Sequence, residues 1–341
     1  MIIEKNIDLR LFSTMRLGGR ARHAYRIKNK NDIVEAAKFA RDNGLRIIVI
    51  GSGSNIIWKD SGFDGLLLIN EIHEMKTEDF QNYKLITVGA GVNWDSFVDN
   101  TVEMGLTGIE ALSLIPGTVG ATPVQNVGAY GQEVSQTIET IEAFDIKASQ
   151  FITFNNEDCD FKYRSSIFNK TEKHRYIIIN VSFRLSKDFP TLPLYPAVAN
   201  YFVDNSIEVI DPRTIRSAVI EIRKNKLPNP NQVSNNGSFF SNPIISSQQF
   251  NVLKTKFPNI VYWATEDGQY KLSGAWLIDK AGFGNYKDKE TGIATWPNQS
   301  LVLINESAES TADLMKFKLK IITKIEELFN ITLEQEPELL P

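Results

Sequence analysis

Short apolar strands alternate with helical stretches along the first two hundred residues. Residues 31–43 repeat apolar positions with the period of an amphipathic helix, which Asn31 would cap and Gly44 would end. Residues 93–104 predict a second amphipathic helix, which ends at Gly105. Short, largely apolar runs predict strands at Leu45–Ile50, Leu66–Ile69, Leu85–Val88, Ile138–Phe144 and Tyr176–Leu185. This mixture predicts an α+β fold.

The second part of the chain contains two well-marked helices. One opens at Asp211-Pro212, a capping residue followed by proline in the first turn, and ends near Lys226. The other begins at Ser310 with a sequence that resembles a capping box. An interval near residues 187–210, interrupted by prolines, separates these helices from the strand-rich part, and it predicts a domain boundary.

Composition narrows the function classes. The chain has 341 residues, enough for two or three domains, and its formal net charge of −4 does not favour nucleic acid as a partner. Its single cysteine, Cys159, lies between two aspartates, so we expect a structural thiol and a reducing compartment. No stretch has the apolar length of a signal peptide or a membrane span, which predicts a cytoplasmic protein.

A glycine-rich stretch, Gly108–Gly131, holds five glycines and almost no charge, and it follows two Gly-x-Gly turns at residues 51–53 and 89–91. Backbone N–H groups in such loops bind a diphosphate without a formal cation, so we expect a phosphate-bearing cofactor. Ordinary connections between strands are the alternative. Neither turn fits the GxGxxG fingerprint, which argues against a standard Rossmann domain.

At this point the sequence resembles the UDP-N-acetylenolpyruvoylglucosamine reductases. The resemblance runs from Ser13–Gly19 to Leu333–Glu336, nearly the whole chain. Its most specific pieces are Gly51–Asn55, Ile115–Gly131, Tyr163–Phe168, Lys226–Pro228, Gly237–Pro243 and Ala275–Asp279.

The resemblance implies non-covalent FAD in a two-lobed domain of the vanillyl-alcohol-oxidase type, over residues 1–205 with a division near 70. A smaller α+β substrate-binding domain would cover residues 206–341. NADPH would be the reductant, a UDP-sugar with an enolpyruvyl ether the acceptor, and cell-wall synthesis the setting; no metal and no obligatory protein partner is implied. The residues expected to bind the cofactor are Gly51, Ser52, Gly53, Ser54, Asn55, Pro116, Gly117, Thr118, Gly120, Ala121, Asn126, Gly128, Tyr130 and Gly131.

The reaction needs a cation and an acid. Hydride delivered from flavin N5 to the terminal carbon builds negative charge on the neighbouring carbon and the substrate carboxylate, and a fixed Arg164 would stabilise it. By resemblance, Ser238 supplies the proton to carbon and Glu336 assists it. Without gaps the closing segment matches at Glu336, although a gapped match would use Glu338, and a solvated acidic tail is the alternative to both.

The substrate-binding residues implied by the resemblance are Tyr195, Lys226, Asn242 and Gln299, with Arg223 nearby. Tyr195 lies in the extra segment of the longer class of this family, where it would close over the diphosphate. Lys226 ends a helix, where a cation is favourable even without a ligand.

The sequence leaves three alternative functions. A flavin oxidase of the same fold often tethers its cofactor through histidine or cysteine, yet none of the three histidines lies in the glycine-rich loops. A non-catalytic nucleotide-binding module would be expected to lose Arg164, Ser238 or the terminal glutamate. A metal hydrolase would need His and Asp at ligand spacing, which the sequence lacks.

Overall fold

The computed structural model describes residues 2–190, 194–265 and 267–341. These residues form two compact units that each draw on distant parts of the chain. Unit 1 comprises the described residues of 1–7, 21–52 and 63–225, and unit 2 those of 8–20, 53–62 and 226–341. The second unit therefore borrows two short segments from the N-terminal part of the sequence.

The α-helices are α1 (Lys30–Asp42), α2 (Trp94–Glu103), α3 (Pro196–Asp204), α4 (Pro212–Lys226), α5 (Ser247–Lys256), α6 (Gly274–Ile278) and α7 (Thr311–Phe329). The longer strands are β1 (Glu4–Asp8), β2 (Arg20–Ile27), β3 (Ile47–Ile50), β4 (Ile56–Trp58), β5 (Phe63–Asn70), β6 (Met75–Asp79), β7 (Tyr83–Gly89), β8 (Gly128–Ala129), β9 (Gln132–Glu133), β10 (Ile138–Asp145), β11 (Gln150–Asn155) and β12 (Tyr176–Ser186). The remaining strands are β13 (Ser234–Ser238), β14 (Ile244–Ile245), β15 (Tyr262–Ala264), β16 (Tyr270–Leu272), β17 (Lys287–Asp288), β18 (Ile293–Trp296), β19 (Gln299–Asn305) and β20 (Glu338–Leu340).

Among its described residues, unit 1 contains two larger sheets and a two-stranded pairing of β8 with β9. The first has the order β1-β2-β5-β3, with β2, β5 and β3 parallel, and the second is antiparallel with the order β11-β10-β12-β7-β6. Helix α1 buries Ile33 and Ala36 against the first sheet, and α2 packs Phe97 on Phe183 of β12 with 5.2 Å between ring centroids. The predicted helices and strands are confirmed, with strand ends shifted by up to three residues.

One predicted cap is wrong. Helix α1 begins at Lys30, and its cap is Asn29 instead of Asn31. Asn29 is extended, with φ −159° and ψ 174°, and its side chain accepts a hydrogen bond from the backbone N–H of Asp32. Two asparagines stand in a row of polar residues here, and the one whose backbone is extended becomes the cap.

Unit 2 is built on an antiparallel sheet, β13-β19-β18-β17, covered by α7. Phe239 and Phe240, which follow β13, are fully buried with Phe317 and Ile321 of α7. A smaller sheet has the order β14-β16-β15, and β20 pairs in parallel with β4. The C-terminal residues are thus part of the folded unit.

The structure also describes the single cysteine, the hydrophobicity of the helices and the grouping of possible metal ligands. Cys159 is buried, and burial raises the pKa of its thiol to about 12, which makes the thiol unreactive at neutral pH. Within residues 2–190, 194–265 and 267–341, no helix has the length and hydrophobicity needed to cross a bilayer. The same residues contain no group of three or more His, Cys, Asp or Glu side chains arranged to hold a metal ion.

Asp145 gives a stability prediction for unit 1. Its carboxylate is 2% exposed and accepts from Arg175 at 2.7 Å, and that hydrogen bond lowers the pKa of Asp145. The ionised Asp145 carboxylate therefore stabilises the folded state fully above its unfolded-state pKa of about 4. This stabilisation is lost as the pH falls through the lower pKa of the folded state. We expect Asp145→Asn to cost about 1–2 kcal/mol in urea unfolding at pH 7, and the cost to shrink toward pH 3.

The control for this experiment is Asp64→Asn. Asp64 pairs with Arg22 at 3.1 Å, but its side chain is 83% exposed, so the free energy of unfolding should barely change at any pH. A cost for Asp145→Asn that stays constant from pH 7 to pH 3 would contradict the assignment.

Candidate active site

The glycine turns of unit 1 come together in the structure. A Cβ placed on Gly51 would lie 2.2 Å from Oγ1 of Thr118, and one on Gly120 would lie 2.4 Å from Cβ of Ala90. The turns near residues 51 and 90 therefore both touch the 117–120 stretch. These glycines leave room for the Thr118 side chain and for Ala90, so they are needed to build the cradle as well as to admit a ligand.

The residues before and at the start of α2 hold this loop in place. Trp94 donates from its backbone N–H to the Gly117 carbonyl at 3.1 Å and from its indole to the Leu112 carbonyl at 2.9 Å. Val119 donates to the Val92 carbonyl at 2.9 Å. The loop is thus fixed by protein contacts from residue 112 to residue 119, which is the preorganisation that a diphosphate-binding loop requires.

The residues of this cradle fit a flavin dinucleotide. The predicted set offers backbone N–H groups and hydroxyls and no charged side chain, which suits a diphosphate bound without a cation. Ser52, Pro116, Ala121 and Gly131 are exposed on unit 1, while Gly117 and Thr118 are buried. In unit 2, Gly53–Asn55 is anchored by the Thr14 N–H, which donates to the Gly53 carbonyl at 3.1 Å, and by Asn236, which donates to the Ser54 carbonyl.

Asn126 has a supporting place in the loop. Its side chain is buried, donates to the Glu133 carboxylate at 2.7 Å and to the Lys162 carbonyl at 3.2 Å, and accepts from the Ser135 N–H. These hydrogen bonds tie the glycine-rich loop to the turn that carries Arg164.

Arg164 is held in a strained turn on unit 1. Its φ is 54°, in the left-handed region that residues other than glycine rarely adopt. Reciprocal backbone hydrogen bonds between Lys162 and Ser165 close the turn. Its guanidinium donates to the Gly128 carbonyl at 2.8 Å and lies 4.9 Å from the centre of the Tyr163 ring. Strain held by several contacts is typical of functional positions, and here it fixes a permanent cation beside the cofactor loop.

Tyr130 lies with two predicted substrate residues of unit 1. Its ring meets that of Tyr195 edge to face at 5.7 Å, and its hydroxyl lies near the Arg223 guanidinium, whose charge acts to lower the pKa of that hydroxyl. Burial raises the pKa of Tyr130 and lowers the pKa of Arg223. The Arg223 Nε is buried and has no hydrogen-bond partner among the described residues, so one donor of this cation is available to a ligand.

Ser238 ends β13 in unit 2. It pairs with Val302 of β19, after an irregularity at Gly237, whose φ is 68°. The next residue, Phe239, donates to the Leu301 carbonyl at 2.7 Å and is fully buried, as is Phe240. A half-buried serine thus directly precedes two fully buried aromatic residues.

The acidic tail of unit 2 is ordered, which excludes a solvated tail. Glu336 donates from its backbone N–H to the Phe239 carbonyl at 2.9 Å, one residue beyond Ser238. Glu338 instead donates to the Asn55 carbonyl at 3.0 Å and starts β20 beside β4. The two candidate glutamates therefore belong to different strand pairings.

Three other predicted substrate residues belong to unit 2. The Trp296 indole donates to the Lys226 carbonyl at 3.1 Å, and Trp296 pairs with Gln299 across a tight hairpin. The Gln299 Oε1 is buried without a hydrogen-bond partner among the described residues. Asn242 accepts from the Gly274 N–H at 2.9 Å through its side-chain oxygen.

Two models of known protein families match this chain. The model described as "FAD binding domain" matches residues 21–148, and the model described as "UDP-N-acetylenolpyruvoylglucosamine reductase, C-terminal domain" matches residues 229–340. The UDP-N-acetylenolpyruvoylglucosamine reductase of Cupriavidus pinatubonensis is 38% identical over 332 residues, covering 97% of this chain and 97% of that protein. The chain belongs to the UDP-N-acetylenolpyruvoylglucosamine reductase family.

Other members agree with this assignment. The reductase of Amoebophilus asiaticus is 37% identical and covers 100% of both chains. The crystal structure of the Thermus caldophilus reductase, 20% identical, superposes with a TM-score of 0.68 over 100% of both chains. The expected family, the α+β fold and FAD as the cofactor are thus confirmed.

Asp95 on α2 and Arg216 on α4 support the site but were not predicted from the sequence; their charged groups approach to 2.6 Å. A signal existed for one of them. Arg216 and Arg223 are seven residues apart, two helical turns, so the two arginines lie on one side of α4.

Proposed function

We propose that this protein catalyses the NADPH-dependent reduction of UDP-N-acetylglucosamine enolpyruvate to UDP-N-acetylmuramate in the cytoplasm, for cell-wall synthesis. The glycine-rich loops would hold FAD, which would supply the hydride chemistry between NADPH and the terminal carbon of the enolpyruvyl group. The protein supplies the binding groups, the electrostatic stabilisation and the proton. The observation that carries the proposal is membership of the family over 97% of the chain with Arg164, Ser238 and Glu336 in their motifs.

Arg164 stabilises the charge that builds on the substrate carboxylate. Its guanidinium is a permanent cation, already held by the Gly128 carbonyl and the Tyr163 ring, so little reorganisation accompanies the reaction. Fixed donors of this kind stabilise a transition state more than mobile ones do.

Ser238 gives the proton to the neighbouring carbon. A serine hydroxyl is a weak acid in water, so its position next to the buried Phe239 and Phe240 has to provide the catalytic advantage. We assign the assisting role to the Glu336 carboxylate, and this is supported by the hydrogen bond from the Glu336 N–H to the carbonyl of Phe239, the residue after Ser238.

The choice between the two glutamates gives a direct prediction. Glu336→Gln should slow product formation about 100-fold, the lower end of typical acid–base contributions, and leave flavin reduction by NADPH unchanged. Glu338→Gln is the matched control and should stay within about twofold in both steps. A larger loss in Glu338→Gln than in Glu336→Gln would transfer the role to Glu338.

The UDP part of the substrate is bound by Tyr195, Arg223, Lys226, Asn242 and Gln299, and we add Tyr130 to this set. The buried Arg223 Nε and Gln299 Oε1 support the proposal, because unpaired polar atoms in the interior are costly unless a ligand satisfies them. Tyr130 supports it through its contacts with Tyr195 and Arg223.

The test is to supply the purified flavoprotein with NADPH and the enolpyruvyl UDP-sugar. We expect one NADPH to be consumed for each substrate molecule and the product mass to exceed that of the substrate by two hydrogen atoms. Consumption of NADPH without that product would overturn the proposal.

A further inference from the structure

The Asp95 carboxylate contacts two separate elements of unit 1. It lies in the first turn of α2 and accepts from Arg216 of α4 at 2.6 Å through Oδ1 and at 3.2 Å through Oδ2. The same Oδ1 accepts from the backbone N–H of Leu114 at 2.5 Å. One side chain therefore joins three segments that are far apart in sequence.

Leu114 is the first of these segments, directly before the cofactor loop that begins at Ile115. Its φ is 57°, a left-handed conformation that costs a leucine about 1 kcal/mol or more. Its N–H points to Asp95, so that carboxylate helps to hold the entry of the loop in its strained form.

Helix α4 is the second. The Arg216 side chain is only 11% exposed and also donates to Asp99 at 2.8 Å, so both of its acidic partners belong to α2. Two turns further along the same side of α4 lies Arg223, whose guanidinium is buried beside Tyr130. A helix fixed at Arg216 is fixed in rotation and translation at Arg223 as well.

We propose that Asp95 is a positioning residue that couples the cofactor loop to the substrate-binding helix α4. Through Leu114 it sets the conformation of the loop entry, and through Arg216 it sets the position of Arg223. This rests on the proposed function for the identity of the two ligands, but the contacts themselves are independent of it.

The chain provides a matched control. Arg213 and Glu103 also join α4 to α2, with the charged groups 3.0 Å apart. Their side chains are 62% and 63% exposed, however, so solvent screens the pair and little stabilisation is expected. Glu103→Gln and Arg213→Gln therefore alter charge on the same two helices without touching the proposed coupling.

The experiment measures two quantities on the holoprotein: the rate of FAD release, from the recovery of flavin fluorescence on dilution, and the affinity for UDP, from the flavin absorbance change. Asp95→Ala should release FAD about tenfold faster and bind UDP about tenfold more weakly, the effect of losing one good hydrogen bond at each end. Arg216→Gln should weaken UDP to a similar extent and leave FAD release within about twofold. Asp95→Asn should resemble Arg216→Gln, because an amide oxygen still accepts from Leu114.

Several results would overturn the coupling. One is that Asp95→Ala has the same FAD-release rate and the same UDP affinity as Glu103→Gln. Another is that Asp95→Ala binds UDP more weakly but releases FAD at the normal rate. Should Asp95→Ala fail to fold, Asp95→Asn and Arg216→Gln decide: UDP affinity in both equal to that of the controls would reject the proposal. If the variants show the expected changes in FAD release and UDP affinity but the protein does not reduce the enolpyruvyl sugar, the proposed function alone is rejected. If the protein reduces the sugar but the variants do not show these changes, only the coupling is rejected.

Discussion

Ser238→Ala should slow product formation by about three orders of magnitude and leave reduction of the bound flavin by NADPH within about twofold of the wild-type rate. The variant removes a proton donor needed only after hydride transfer to the substrate has begun. Because Ser238 is half-buried at the end of β13 and its backbone pairing with Val302 is kept, the fold should survive. Stopped-flow absorbance of the flavin separates the two half-reactions.

The matched control is Ser241→Ala, three residues further along the chain. The Ser241 backbone N–H donates to the Glu334 carbonyl, a contact that alanine keeps, so both half-reactions should proceed normally. Equal losses in both half-reactions of Ser238→Ala would show that this serine supports the fold and is not the acid.

Arg164→Gln should lower kcat by about 100- to 1000-fold, the loss typical of removing one preorganised group that stabilises developing charge. Arg164→Lys should recover only part of the rate. An ammonium keeps the charge but cannot reproduce the planar fork that meets the Gly128 carbonyl and stacks on Tyr163. Single-turnover oxidation of the reduced flavin by the enolpyruvyl UDP-sugar measures the affected step.

Arg184→Gln serves as the control for Arg164. Arg184 also stacks on a tyrosine, 4.4 Å from the centre of the Tyr83 ring, and pairs with Glu139, but its side chain is 49% exposed. We expect its single-turnover rate to match that of the wild type. A normal rate in Arg164→Gln would contradict the role of Arg164.

Local chemistry made the helices predictable. Asn93 caps α2 and, as predicted, Ser310 caps α7, because each is a polar residue with extended backbone directly before an amphipathic run. Asn29 and Asn31 could not be separated in this way, since both precede the same run. Family motifs, in turn, indicated Arg164, Ser238 and Glu336, which the structure describes on a strained turn, a strand end and a paired tail respectively.

The supporting contacts could not be predicted. Asp95 and Arg216 are 121 residues apart, and nothing in either local pattern indicates the other. The sequence suggested that glycines make room for a ligand, whereas Gly51 and Gly120 also make room for Thr118 and Ala90. Such tertiary contacts depend on how separate segments pack, and a single sequence does not record them.

The most direct test of the central claim is one anaerobic experiment. The flavoprotein is reduced with one equivalent of NADPH, NADP⁺ is removed, and the enolpyruvyl UDP-sugar is added. We predict that oxidised-flavin absorbance returns in a single turnover and that, in D₂O, the product gains one deuterium at the carbon bonded to the carboxylate. Flavin that stays reduced until oxygen is admitted would contradict the account.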